Sequence, residues 1–182
     1  MNILLRMAER HIPVFVKRRE LNKLIHLTAS AFGCGVFSTA GLSYNECLAE
    51  YARFTKAAVD QTVKRGENLL NMQDRLFQGA FVYGKLWRKR FGVSNMSEVM
   101  RAGHVLYRAI GIEFRGTDLG SIEISKCFFS GYYSPATCSA ISSIDAGIMA
   151  GLSGGETLIF SQKITEGSNI CKARLSPKEI DT

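Results

Sequence analysis

The fold of this chain is decided at residues 111–129, which read GIEFRGTDLGSIEISKCFF. Ile112 and Phe114 alternate with polar residues, a turn rich in Gly and Asp follows, and Ile122 and Ile124 resume the alternation. Apolar residues with a period of two on either side of a turn predict an antiparallel hairpin, which we expect to run into the Cys-Phe-Phe at the end of the stretch.

Upstream of this hairpin, apolar residues recur at spacings of three and four, as in amphipathic helices. Ser43 with Glu46 forms a capping box at one helix start, and Asn95 with Glu98 marks another. Glycines end three of the apolar stripes: Gly33, Gly92 and Gly111. We therefore expect a helical part of about four helices, beginning after Pro13.

Downstream, Ser134 and Pro135 fit the N-cap and first position of a further helix, which Gly154 and Gly155 end. Residues 158–160 are expected to form a buried strand, and residues 170–175 pair back after a turn. The chain is thus predicted to be an α+β protein in which the N-terminal helices pack with an antiparallel β-β-α-β-β unit. We expect one domain over 1–182, with a helical part at 1–111, a sheet-bearing part at 112–176 and a tail at 177–182.

Composition is that of an ordinary globular protein. The 182 residues are 46% hydrophobic and 21% charged, which excludes intrinsic disorder. No apolar run approaches the roughly 20 residues of a membrane span, and the N-terminal MNILLRMAER is too short in apolar residues for a secretory signal. The five cysteines, an odd number, lack close metal-ligand spacing. We therefore expect free thiols, a cytoplasmic protein and no membrane association.

The net charge of +7 is concentrated in Lys17-Arg18-Arg19 and Arg88-Lys89-Arg90. Both clusters lie in helical patterns and are interpreted as solvated faces. Because no nucleic-acid-binding motif accompanies them, a nucleic-acid partner is not expected, and the surplus charge favours an anionic small molecule. No cofactor is expected. Whether a metal assists, and whether the helical half pairs two subunits in a homodimer, stay open.

Candidate chemistry gathers in the second half of the chain. Cys138, Ser142 and Asp145 are spaced i, i+4 and i+7, so they share one helix face with apolar residues. A carboxylate on an apolar face is costly unless it is paired, hydrogen-bonded or protonated. Cys127 has the strand parity of polar neighbours, whereas Cys171 has the parity of the core. Asp145 is interpreted either as part of a reactive pocket or as a structural cap or ion pair.

Four short motifs carry a family resemblance: Cys-Phe-Phe-Ser at 127–130, Tyr-Ser-Pro-Ala-Thr-Cys at 133–138, Asp145 with two following glycines, and Gly-Ser-Asn-Ile-Cys at 167–171. Together they resemble the C-terminal signature of the L-2-amino-thiazoline-4-carboxylic acid hydrolase family. The chain is also similar, more distantly, to small-molecule-binding domains of the 4-vinyl reductase type, which bind ligands without necessarily turning them over.

The first resemblance implies hydrolytic ring opening of a cyclic amidine to an N-carbamoyl amino acid. Cys138 would be a nucleophile activated by its helix N-terminus with Asp145 as acid or base, or Asp145 would activate a water while Cys127 and Cys171 shape the pocket. His104 is a second candidate for proton transfer. The predicted substrate-binding set contains Arg115 or Arg108 as the partner of a substrate carboxylate, with Cys171, Tyr133 and Ser142.

These observations leave three hypotheses about the function. A hydrolase requires Cys127, Cys138 and Asp145 to line one solvent-connected pocket. A non-catalytic binding or sensory domain requires a deep apolar pocket, lined by the aromatic residues at 128–129 and 132–133, without an activated thiol. A nucleic-acid-associated protein requires the two basic clusters to form one face.

Overall fold

A computed structural model describes residues 3–177, so the expected tail lies outside the described residues from 178 onward. Five helices precede the sheet: α1 (Ile3–Arg10), α2 (Val14–Phe32), α3 (Tyr44–Lys64), α4 (Leu69–Phe91) and α5 (Met96–Ala109). There follow β1 (Ile112–Gly116), β2 (Ser121–Cys127), α6 (Pro135–Ser153), β3 (Thr157–Gln162) and β4 (Cys171–Ser176). The α+β class is confirmed, and from α2 onward the helices and strands follow the expected order; α1 is an additional helix.

Local capping signals place the helix ends correctly. The Ser43 hydroxyl accepts a hydrogen bond from Glu46 N while the Glu46 carboxylate accepts one from Ser43 N. Asn95 caps α5 through Glu98 N, and Ser134 caps α6. Gly33, Gly92 and Gly154 end their helices in the left-handed conformation. The residues that form each helix end are only a few positions apart in the chain, so the local sequence is enough to predict where the helices end.

The sheet is antiparallel with the order β1-β2-β4-β3. In β1, β2 and β4 alternate side chains are buried, including those of Phe114, Ile124 and Ala173, and the intervening ones are exposed. One face therefore packs on the helices and the other faces solvent. Buried residues from the helices and from this inner face form one hydrophobic cluster.

Two strand predictions are corrected. The stretch at residues 158–160 is not fully buried: β3 is an edge strand that alternates, and Ile159 is exposed. Phe128 and Phe129 do not extend β2, because residues Phe128–Gly131 form a short 3-10 helix. Its turn brings the buried Phe129 ring to Tyr51 on α3 at 5.9 Å between ring centroids. Apolar runs of this length do not distinguish a strand from a turn.

Helix α1 was not expected. It is held by α5, where Arg101 donates to both carboxylate oxygens of Glu9 at 2.6 Å and Arg108 donates to the carbonyl oxygens of Ala8 and Glu9. A helix this short gains little from local propensity, so its stability comes from these tertiary contacts. No helix within residues 3–177 is both long and apolar enough to cross a membrane.

Close packing of α4 against α6 positions the second half of α6. Three glycines lie at this contact: Gly84 on α4, and Gly147 and Gly151 on α6. A Cβ at Gly147 would fall against the carbonyl oxygen of Phe77, and one at Gly84 against that of Ile148. The two backbones approach this closely because side chains are missing on both sides.

Candidate functional site

A small cavity, partly open to solvent, lies where α6 meets α3 and the end of β2. Its volume is about 70 Å³, and its polar lining comes from Tyr51, Cys127, Tyr133, Cys138, Ser142 and Asp145. One water needs roughly 10–15 Å³, so the space exceeds that of a single water. It is smaller than the roughly 300 Å³ of a typical ligand site, so a larger ligand requires the lining to open.

The α6 face predicted from spacing supplies the core of this lining. Cys138, Ser142 and Asp145 all point into the cavity, and Ile141, Ile144 and Ile148 surround them. The helix begins at Pro135, three residues before Cys138, and its N-cap Ser134 accepts through its side chain from Thr137 N at 3.1 Å. Ser142 donates to the Cys138 carbonyl oxygen at 2.7 Å, so its hydroxyl is already used within the helix.

Asp145 is the most unusual group in the cavity. Its side chain keeps some accessible surface because it lines the cavity, but protein atoms enclose it. Burial raises the pKa of its carboxyl from 3.8 to about 6, while a hydrogen bond from Tyr107 and the charge of Lys163 act in the opposite direction. The group therefore changes protonation near neutral pH, as an acid–base catalyst must.

Tyrosines provide the other polar groups near this carboxyl. The Tyr107 hydroxyl donates to Asp145 Oδ1 at 2.9 Å. The Tyr133 hydroxyl lies 2.6 Å from Thr55 Oγ1, and Thr55 also bonds to the backbone of α3. Burial raises the pKa of Tyr107 and of Tyr133 well above 10, so both phenols stay neutral at any pH at which the protein works.

The thiols do not resemble activated nucleophiles. Burial raises the pKa of Cys127 to about 12, with a small further rise from Asp145. Burial also raises the pKa of Cys171. Within the described part of the chain, no hydrogen bond reaches Sγ of Cys138. Cys138 therefore lacks, among the described residues, the hydrogen-bonded partner that activates a catalytic thiol.

Four predicted site residues lie outside the cavity. Arg108 holds α1, as described above. His104 Nδ1 lies 2.8 Å from the Phe114 carbonyl oxygen in a surface cleft between α5 and β1, which Arg115 also lines. Cys171 is buried on β4, where its sulfur accepts from Ile164 N at 3.3 Å. Spacing along the chain could not exclude these residues, because it does not show which neighbour each side chain contacts in the folded protein.

Tyr107, Lys163 and Tyr51 were missed by sequence reasoning. Tyr107 lies at the apolar helical spacing of α5, and a tyrosine among aliphatic residues is the one signal in the sequence for a buried polar partner. Lys163 follows β3, and its side chain is largely covered, with Nζ 5.4 Å from the Phe160 ring centroid and 4.0 Å from Glu166 Oε1. It is the cation that acts on Asp145.

A second buried carboxylate lies on α2 and was also missed. Glu20 is 1% exposed, and its Oε2 accepts from the Tyr83 hydroxyl at 2.8 Å, from Lys23 at 2.9 Å and from Trp87 Nε1 at 3.4 Å. Burial acts to raise its pKa, but the hydrogen bonds from Lys23, Tyr83 and Arg19 and the charge of Lys23 outweigh burial, so the pKa is lowered. With all its bonds made inside the helical half, this carboxylate ties α2 to α4 and has a structural role.

Residues 3–177 contain no group of three or more His, Cys, Asp or Glu side chains arranged to hold a metal ion. No known protein family, no curated protein and no solved structure matches this chain.

Proposed function

We propose that the protein is a hydrolase that opens a cyclic amidine such as 2-amino-thiazoline-4-carboxylate, with Asp145 as its acid–base group. The observation that supports this proposal is the carboxyl of Asp145, enclosed at a cavity and with its pKa raised to about 6. A buried carboxyl that titrates near neutral pH gives up and takes back a proton during one turnover.

Recognition of the amidine uses the same carboxylate. One oxygen of Asp145 accepts from Tyr107, which leaves the other free to accept an N–H of a cationic amidine. The substrate carboxylate pairs with Lys163, the cation whose charge acts on Asp145, in the role that Arg115 and Arg108 were expected to fill. The aromatic rings of Phe129 and Tyr133 enclose the ring of the substrate.

The reaction proceeds by attack of water on the ring carbon between nitrogen and sulfur. Asp145 accepts the proton of the attacking water as the C–O bond forms. The C–S bond then breaks, and the protonated carboxyl returns the proton to the leaving thiolate. As the urea carbonyl forms, the remaining hydroxyl proton of the intermediate is released to solvent, which balances the positive charge of the amidine. The products are a urea and a free thiol, so one water is consumed and no oxidant is needed.

Attack by water is favoured over attack by a thiol. The raised pKa of Cys127 keeps that side chain protonated, and within the described part of the chain no hydrogen bond joins Sγ of Cys138 to a base. The two thiols line the cavity as small, polarisable surfaces that pack against a sulfur-containing ring. This is the second of the two mechanisms that the family resemblance implies.

A second candidate function is that of a non-catalytic small-molecule-binding domain. The observation that favours it is the absence of an activated thiol from a small, largely apolar cavity. This function needs the same cavity but no proton transfer. The two functions are therefore separated by turnover and not by binding.

The deciding experiment incubates the purified protein with L-2-amino-thiazoline-4-carboxylate and follows release of the product thiol. Wild-type protein and Cys138→Ala are expected to turn over, whereas Asp145→Asn is expected to lose at least about a hundredfold in rate. Asp118→Asn, an exposed carboxylate away from the cavity, is the matched control.

Binding of the same compound is measured in parallel by calorimetry. Saturable binding without turnover would identify the non-catalytic domain, and neither binding nor turnover would contradict both candidates for this ligand. Loss of turnover in Cys138→Ala with activity retained in Asp145→Asn would reverse the assigned roles.

A further inference from the structure

The second half of α4 carries an apolar groove that the fold does not cover. Val82 and Leu86, one helical turn apart, are 57% and 61% exposed. With Lys85, Lys89 and Val93 they line a surface groove of about 650 Å³. Single exposed apolar side chains are common on protein surfaces, but adjacent ones lining one groove mark an interaction site.

The rest of α4 is accounted for by the fold. Gly84 packs on α6, while Tyr83 and Trp87 are buried and bond to Glu20 on α2. Arg88 also turns toward α6, where it donates to the Leu152 carbonyl oxygen at 2.9 Å. The stripe through Val82 and Leu86 is therefore the face of α4 that has no neighbour within residues 3–177.

Charge around the groove has one sign. No Asp or Glu occurs between Asp74 and Glu98, and this stretch includes Lys85 and the cluster Arg88-Lys89-Arg90. Lys85 lies over the Phe81 ring, with Nζ 5.6 Å from its centroid. Lys89 has no ion-pair partner in the part of the chain that the structure describes. The groove thus combines an apolar floor with a positively charged rim.

We propose that this groove docks an acidic amphipathic helix of a partner protein. Such a helix presents apolar residues at i, i+3, i+4 and i+7 to Val82 and Leu86 and places Glu or Asp side chains against Lys85 and Lys89. A second copy of this chain is disfavoured, because it would set the same lysines against one another. A lipid surface is disfavoured because the large aromatic residues Tyr83 and Trp87 face inward.

The test uses a synthetic helical peptide of about 14 residues, which spans about 20 Å, with Leu on one face and Glu on the flanks. We expect saturable binding to the wild-type protein by fluorescence anisotropy, weakened by salt. Leu86→Gln is expected to weaken this binding at least about tenfold. Leu119→Gln, which removes an exposed apolar side chain elsewhere, is expected to leave it unchanged.

A charge reversal makes the assignment specific. The double variant Lys85→Glu, Lys89→Glu is expected to lose binding of the Glu-flanked peptide and to gain binding of the same peptide with Lys flanks. Lys126→Glu on the sheet is expected to change neither binding. Failure of the peptide to bind, or binding that these substitutions leave intact, overturns the proposal. So does dimerisation abolished by Leu86→Gln, or binding to vesicles of anionic phosphatidylserine in preference to the peptide.

Discussion

The Tyr107 hydroxyl donates a hydrogen bond of 2.9 Å to Oδ1 of Asp145, and this bond joins α5 to α6 at the cavity. The Tyr107 ring is held in place by stacking on Phe114, with 5.0 Å between ring centroids. The bond favours the ionised carboxylate and so opposes the effect of burial on its pKa.

Replacing this donor is expected to change the titration of Asp145. In Tyr107→Phe the carboxylate loses its hydrogen bond while burial is retained, so the pKa should rise above about 6. Carbon-13 NMR of the aspartate carboxyl carbons against pH measures it, with Asp145→Asn identifying the resonance. Tyr132→Phe, outside the cavity, is the control, and an unchanged midpoint in Tyr107→Phe would show that the bond does not act on the carboxyl.

Asp145 also makes stability depend on pH. Its pKa is raised in the folded state, so between pH 4 and 6 the folded protein holds a proton that the unfolded chain has lost, and stability falls as pH rises. The full effect is about 3 kcal/mol at 1.36 kcal/mol per pKa unit. In urea unfolding, the free energy of unfolding of the wild type should fall between pH 4 and 6, and that of Asp145→Asn should not show this fall. Parallel curves for the two proteins would refute it.

The α4–α6 contact should not tolerate a side chain at its closest point. Gly147→Ala forces a Cβ against the Phe77 carbonyl oxygen, and we expect a loss of about 3 kcal/mol in the free energy of unfolding. Gly131→Ala is the matched control, since open space surrounds its position. Chemical denaturation measures both, and equal stability of the two variants would show that the helices separate at little cost.

Thiol reactivity should follow exposure and pKa. Cys34 is exposed, whereas Cys127 is partly buried with its pKa raised to about 12. Iodoacetamide at pH 8 is therefore expected to alkylate Cys34 in the native protein and Cys127 only after unfolding. Peptide mass mapping gives the order of labelling. Equal rates at the two thiols would indicate an activated Cys127 and would reopen thiol attack as a mechanism.

Glu20 should be important for stability. Glu20→Ala leaves the Tyr83 hydroxyl and the Trp87 indole N–H without their acceptor, and we expect a loss of about 3 kcal/mol. Glu50→Ala removes a solvent-exposed pairing with Arg53 and should cost less than about 0.5 kcal/mol. Thermal and urea unfolding compare them, and similar small losses would mean that solvent replaces the buried partners.

Three features of this protein depend on residues only a few positions apart. They are the ends of the helices, the alternation in the strands, and the helix face shared by Cys138, Ser142 and Asp145. Capping bonds and side-chain periodicity act at this range, so the sequence by itself determined the α+β class and half of the cavity lining. It also indicated that Asp145 needed a special environment, since its cost on an apolar face does not depend on the fold.

Tertiary structure alone decided which groups meet that carboxyl. Tyr107 donates a hydrogen bond to Asp145 from α5, and the charge of Lys163 acts on it from the end of β3. The glycine contact between α4 and α6 sets where α6 lies. Arg108, which was expected at the site, donates hydrogen bonds to backbone carbonyl oxygens of α1 instead. Such tertiary contacts depend on how distant segments pack together. The periodicity of one segment carries no information about which residue lies opposite it.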